Sequence, residues 1–406
     1  MFGDTSCGFP PAPDTLDEEE KIASLESVAL DIEMVITDMR TAQGVSQKMI
    51  RPAMHLLPAD VKLNSFTKNP THTNYQIAME SMKVGAAALI GSAVAALALV
   101  LVKIIGWLIA IFKGNDKATV AAQKAADEMG ATRKVNNNIR QILTPELKTV
   151  YEERKAAKVA ATYAEMAKMW NPVLRDVLEG GPISRTLGGA DITFSDIMKK
   201  MKLMMIVIER EGKKDNGNDH MAAAHVMTIL NDIAFHDDSP AIRSRFIPIL
   251  RVSGEEVDFQ ADMREIHDHM SSLMGQSMSA GFNGDKVLDV ADNYDFKRCP
   301  MNKIEPVKDL EQLEAEVKRM EKMTFNKNVG ADVDRTLRAT TTSLRKMMDV
   351  VRQFYSMSGR IVSQRNRFIE LAKTATAQDN SALVATIVSS NDSEVKNKLR
   401  DLNKKR

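Results

Sequence analysis

The chain is 406 residues long with a formal charge of +1, 44% hydrophobic and 5% aromatic, and it holds 26 methionines but only two cysteines. That length suggests two or three domains, and the Met-rich, aromatic-poor composition argues for helices packed through flexible side chains and against a β-sandwich or barrel. Cys7 and Cys299 exclude a disulfide framework and give no zinc spacing, which fits a reducing compartment.

The near-zero charge hides two opposed blocks. Residues 1–40 carry ten acids against Lys21 and Arg40, a balance of −8. Residues 335–373 carry nine bases against Asp349 and Glu370, a balance of +7. Such asymmetry implies different partners for the two ends. The N-terminus lacks the basic-then-apolar order of a secretory signal.

In chain order, residues 1–14 read as a tail, and the spacing of Leu16, Ile22, Leu25, Val28, Ile32, Val35, Ile36 and Met39 predicts a helix with acids at its positive end. Pro52, Pro58 and Pro70 cut the chain up to Thr73 into short pieces. An apolar segment follows, and Lys113-Gly114-Asn115-Asp116 reads as its stop. Thr144-Pro145-Glu146 and Asn171-Pro172 are helix starts, and Gly180-Gly181 is a stop. Thr193 with Asp196 opens a further helix through Met201, Met204, Met205 and Ile208, and another runs from about Asn218 to Phe235. In the last third, Val333, Leu337, Thr340, Leu344, Met347, Val351 and Phe354 alternate in steps of four and three. That frame continues through Ser358, Ile361, Arg365, Phe368, Ala372 and Ala375, a coiled-coil seam. Leu310, Leu313, Val317 and Met320 form a shorter stripe, and Asn326 to Gly330 is placed to turn the chain into a hairpin.

These signals predict an all-α, elongated helical bundle with one long apolar, transmembrane-like helix and a C-terminal coiled-coil-like helical hairpin. The expected parts are an acidic, propeptide-like helical region (1–80), the apolar helix (81–115), a Met-rich helical middle (116–275), a connecting loop region (276–304) and basic C-terminal helices (305–406).

The apolar helix dominates the functional reading. Val84 to Val102 is nineteen residues without a charge, and after Lys103 the run resumes from Ile104 to Phe112. About 20 apolar residues span the hydrocarbon of a bilayer, so the length fits a crossing helix, with Trp107 and Lys113 as interfacial anchors. The competing reading is a buried helix of a large α-helical core, and seven alanines among the nineteen residues make the stretch only moderately lipophilic. Membrane contact assigns Val84, Leu89, Leu97, Leu101, Ile105, Trp107 and Ile111 to lipid. Ala87, Gly91 and Ala95, like Ala88, Ser92 and Ala96, recur every four residues and would allow close helix approach in lipid. Lys113, Lys117, Lys124 and Arg133, against Lys68 and Lys83, place the C-terminal side in the cytoplasm.

In the C-terminal helix, Arg335, Arg338, Arg345, Lys346, Arg352, Arg360 and Arg367 form a surface for a polyanion such as packaged DNA, read without sequence preference. The plainer alternative is a solvated coiled-coil exterior. The spacing of His220 with His225 and of His267 with His269 suits no metal, and no nucleophile, base or carboxylate pair forms a catalytic motif. No cofactor and no small-molecule substrate are expected.

The run Lys103-Ile104-Ile105-Gly106-Trp107-Leu108-Ile109-Ala110-Ile111-Phe112-Lys113-Gly114 resembles the membrane-like segment of internal head (virion structural) proteins of giant tailed bacteriophages. In that family such a block also precedes a long polar helical region, and the C-terminal helix resembles Leu371-Ala372-Lys373 onward. The likeness is one of pattern over about residues 80–115 and 335–390. It implies a protein packed inside the capsid beside DNA, in contact with itself or other virion proteins, and ejected into the host inner membrane. It also implies trimming by a prohead protease that cuts after a small residue, any residue and Glu. Ser24-Leu25-Glu26 and Ala78-Met79-Glu80 make Glu26 and Glu80 the processing positions. The expected function is therefore a non-enzymatic phage virion structural protein that inserts into the host membrane during genome delivery. An α-helical pore-forming toxin, or a coiled-coil scaffold anchored in the cytoplasmic membrane, is the alternative.

Overall fold

The computed structural model describes residues 13–59, 61, 63, 66–190, 201–202, 259–276, 282–296, 306–321 and 331–390. Apart from the helical, buried Met201 and its neighbour Lys202, the helices expected beyond Thr193, like His220, His225, both cysteines and the turn at Asn326 to Gly330, lie outside the described residues. The described chain is an all-α bundle without strands; its one β-type pairing is the bridge between Val45 and Thr67.

The helices are α1 (Leu16–Ala42), α2 (Gln47–Ile50) with a 3-10 turn (Arg51–Leu56), α3 (Thr73–Gln141) and α4 (Pro145–Met169). They continue with α5 (Pro172–Glu179), α6 (Phe259–Gly275), α7 (Gly284–Asp292), α8 (Pro306–Glu321) and α9 (Ala331–Ser389). A helical stretch at 182–190 follows α5. The caps form where the residue types favour them. Thr144 Oγ1 accepts from the Leu147 amide at 3.4 Å, Asn171 Oδ1 accepts from the Leu174 amide at 2.8 Å, and Gly180 takes the left-handed conformation that closes α5.

Two long helices form the frame. α3 has 69 residues and α9 has 59, so at about 1.5 Å per residue they reach roughly 100 Å and 90 Å. α9 lies along α3, which also carries α1 and α8; α4 packs on α9, and α6 on α9 and α5. The expected seam of α9 is its buried side: Leu344, Val351, Phe354, Ile361, Phe368, Ala372 and Ala375 are all buried, and so are Ser358 and Arg365 in the same frame. Because α8 finds its main partner in α3, the two C-terminal helices share a neighbour and the seam belongs to a multi-helix core.

Two boundaries differ from the expectation. α3 does not stop at Gly114 but runs on to Gln141. A glycine ends a helix when it turns left-handed, and among the described glycines only Gly180 has positive φ. Beyond Gly114, Ala122, Ala125 and Ala126 pack with Phe296 and Ile369, and this burial carries the helix through. The expected connecting loop at 276–304 contains α7, nucleated by Asn283, whose side chain accepts from the Lys286 amide at 3.2 Å. Val287, Leu288 and Ala291 bury one face of it.

Candidate functional site: a membrane-length helix inside a bundle

Within α3 lies an 18-residue window apolar enough to cross a membrane, and 67% of that window is buried by the protein itself. The bundle sorts the segment by face. Leu97, Leu101, Ile105 and Leu108 are fully buried, and Val94, Val100, Ile104 and Ile111 nearly so, in one cluster with Ile22 of α1, Met263 and Ile266 of α6, Leu310 and Leu313 of α8, and Val351 and Phe354 of α9. The opposite face shows Ala88, Ser92, Leu99, Lys103, Gly106 and Ala110 to the outside. Large side chains therefore point inward and mostly small ones outward, with Leu99 at 44% exposure the main exception.

Of the residues assigned to lipid from sequence, Val84 is exposed and Leu89 half-buried, whereas Leu97, Leu101, Ile105, Trp107 and Ile111 are buried in this conformation. A permanently inserted helix presents its large side chains to lipid. Here they face protein, so contact with a bilayer requires the bundle to open at this face. Of the small-residue stripes, Ala88 and Ser92 face outward and Ala96 inward.

The bases of α9 meet acids of the same chain. Arg345 pairs with Glu26 at 3.9 Å, Arg352 with Glu19 at 4.0 Å and with Asp349 at 3.6 Å, Arg367 with Glu165 at 2.8 Å, and Lys373 with Glu128 at 2.6 Å. Arg360 is exposed, and the side chains of Arg335, Arg338 and Lys346 lie outside the described residues. The acidic and basic blocks of the sequence thus meet each other through α1 and α9. Sequence reasoning missed this, although the signal was present: Glu19 and Glu26 are seven apart, as are Arg345 and Arg352. Lys103, within the apolar run, pairs with Glu18, and that bond holds the Glu18 carboxyl below its ordinary pKa.

The candidate processing residues both lie within helices, Glu26 in α1 and Glu80 on the exposed side of α3. Proteases favour mobile, exposed chain, so cutting there requires local unwinding or must precede folding.

A second polar cluster, also unseen from sequence, joins α3, α4, α7 and α9. Asp379 accepts from Tyr151, from Arg140 at 2.5 Å and from Asn136 at 3.0 Å. Asp285 accepts from Lys155 at 2.8 Å and from Tyr163 at 2.9 Å. Burial first, then the neighbouring carboxylate, raises both tyrosines far above their ordinary pKa, so each stays a neutral donor. The arrangement holds helices in register. Among the described residues no group of three or more His, Cys, Asp or Glu is placed to hold a metal ion. No family model, curated protein or solved structure matches this chain.

Proposed function

We propose that the chain is a non-enzymatic structural protein that carries a membrane-crossing helix in sheltered form and brings it to a bilayer. The setting favoured by the sequence resemblance is the interior of a phage head, with insertion into the host inner membrane at genome delivery. The observation that supports this reading is the membrane-length apolar window of α3, two-thirds buried inside its own bundle. Transfer of that surface from protein to lipid provides the driving force once the bundle opens. Non-specific contact with packaged DNA is the weaker half of the reading, because Arg345, Arg352 and Arg367 already have acids of the chain beside them.

The test exploits the outward face. Ser92→Asp with Ala110→Asp places carboxylates at exposed positions, where the folded bundle tolerates them. Ser92 lies near the middle of the uncharged run from Val84 to Val102, and a charge at the centre of a bilayer costs about 2.5–3.5 kcal/mol, so insertion is opposed. Vesicle flotation is expected for the wild type and lost in the variant at unchanged helicity; equal flotation of the two refutes insertion.

A second reading, a pore-forming toxin, draws on the same shelter, since a soluble bundle that hides its own apolar helix needs no other protein. Dye release from vesicles by purified protein favours the toxin, and detection of the protein in purified phage particles favours the virion.

A further inference from the structure

We infer that the first half of α1, residues 16–29, is a charge-clasped strap over the apolar stretch of α3, able to leave it while the rest of the bundle stays folded. The inference deepens the membrane reading and rests on it for its consequence, though not for its structure.

α1 lies antiparallel to α3. Glu18 near its start meets Lys103, and Ile32, Val35, Ile36 and Met39 near its end share a buried cluster with Tyr75, Ala78, Met79 and Met82. Its two halves are held differently. The second half adds those four apolar residues to a core that also includes Val45, Ile50, Ala53 and Leu63. The first half gives Ile22 and Ala29 to the cluster around the apolar stretch, and its half-buried Val28 leans on the core of the second half.

Polar bonds supply the rest of its hold. Glu18 reaches Lys103 of α3, while Glu19 and Glu26 reach Arg352 and Arg345 of α9 at 4.0 Å and 3.9 Å. The order of the acids is reversed in the bases, and both steps are seven residues, so the contacts form an antiparallel ladder. In sequence each series continues by one more heptad, to Glu33 and Arg338.

This division gives the bundle a weak and a strong side. Added salt does not weaken apolar burial, but it screens partly exposed ion pairs. An anionic lipid surface competes for Lys103, Arg345 and Arg352 and repels the acids that hold them. Once free, the segment loses the packing that supplies most of a helix's stability in proteins, so it frays from its N-terminal end back to the anchored second half. The clasp thus opens where the helix beneath it has a use.

The experiment is hydrogen exchange on the full chain carrying Glu19→Arg with Glu26→Arg, and on the same chain with Arg345→Glu and Arg352→Glu added. The double variant is expected to lose about tenfold or more amide protection over 16–29, with 32–41 and 366–387 unchanged. The fourfold variant is expected to regain it. Wild type in about 1 M NaCl is expected to reproduce the local loss without any mutation. Protection over 16–29 that survives both treatments, or that falls only together with the whole bundle, overturns the strap. Flotation with phosphatidylglycerol vesicles separates the two ideas. Increased flotation of the double variant supports both, whereas local exchange with flotation of neither the wild type nor the double variant keeps the strap and removes the membrane reading.

Discussion

Tyr151 of α4 donates its hydroxyl hydrogen to Asp379 of α9, and the same carboxylate accepts from Arg140 at 2.5 Å and Asn136 at 3.0 Å, both on α3. One buried acid therefore ties three helices. Asp379→Ala leaves a guanidinium, a phenol and an amide without their shared acceptor, which costs about 3–5 kcal/mol when a buried charged pair is broken. Asp379→Asn keeps one acceptor oxygen and is expected to cost less. Urea unfolding of both variants measures this, and a loss of stability below that of an ordinary surface change in Asp379→Ala contradicts the assigned role.

Arg365 is a second interior polar residue of α9, with no exposed surface. Its guanidinium donates to Tyr294 Oη and Thr119 Oγ1, each at 3.0 Å, and lies over the rings of Tyr294 and Phe296. Arg365→Met retains most of the volume but leaves Asn366 Oδ1 without its donor, and is expected to cost about 1–3 kcal/mol. Arg365→Ala removes the same donor and also opens a cavity, at a cost of about 3 kcal/mol or more, while Thr119 Oγ1 keeps its Asn366 Nδ2 donor at 3.2 Å in both variants. Equal losses in the two variants would mean that the charge itself, not the filled space, is what the site requires.

The carboxylates predict opposite responses to acid. At Asp285, burial pushes the carboxyl upward, but the Lys155 and Tyr163 bonds outweigh it and hold it below the usual range. At Asp349 burial prevails over Arg352 and Arg345, and the carboxyl sits above that range. A lowered carboxyl adds stability above its unfolded value, near ~3.9, and loses that contribution as pH falls through the folded value. A raised one subtracts stability as pH climbs from the unfolded to the folded value. Asp285→Asn is therefore expected to flatten the acid loss of stability, and Asp349→Asn to stabilise at pH 7 with no gain at pH 3. Urea midpoints at the two pH values decide, and an unaltered acid limb in Asp285→Asn refutes the first half.

The sequence made some of this legible for identifiable reasons. The heptad frame of α9 located its buried side from Leu344 to Ala375, even where the seam residue is Ser358 or Arg365, because helical period alone decides which side chains share a face. Thr144, Asn171 and Gly180 marked their helix ends because capping is local chemistry. What covers the apolar run was not legible, because hydropathy records composition and not the neighbours brought by α1, α6, α8 and α9. The charged blocks misled for a related reason. Each was read as facing the outside, while the matching seven-residue steps of Glu19 and Glu26 with Arg345 and Arg352 become a contact only when the two helices lie antiparallel.

The sorting of the apolar helix by face has a direct consequence. Leu97→Ala and Leu101→Ala remove fully buried side chains and are each expected to cost about 2–5 kcal/mol, whereas Leu99→Ala, two residues from either, is expected to stay near 0.5 kcal/mol. A helix whose flanks were equivalent, as in uniform lipid, gives no such alternation. Thermal or urea unfolding of the three variants reads it, and three equal losses would falsify the inward orientation.

Gly114 tests how far the helix continues. In the structure it is helical, and a Cβ there meets nothing within 4 Å. Gly114→Ala is therefore expected to stabilise by about 0.5–1 kcal/mol, the difference in helix propensity between the two residues. A helix that ended there, with Gly114 left-handed, gives the reverse sign, because alanine resists that conformation. Gly85 supplies the contrast on the same helix. It is buried, and a Cβ there runs into the Leu56 side chain of the 3-10 turn, so Gly85→Ala forces that side chain to move, which offsets the same propensity gain and leaves a net loss of up to about 1–2 kcal/mol. Urea midpoints of the two variants moving in opposite directions support an unbroken α3 from Thr73 to Gln141, and a destabilised Gly114→Ala restores the break at Gly114.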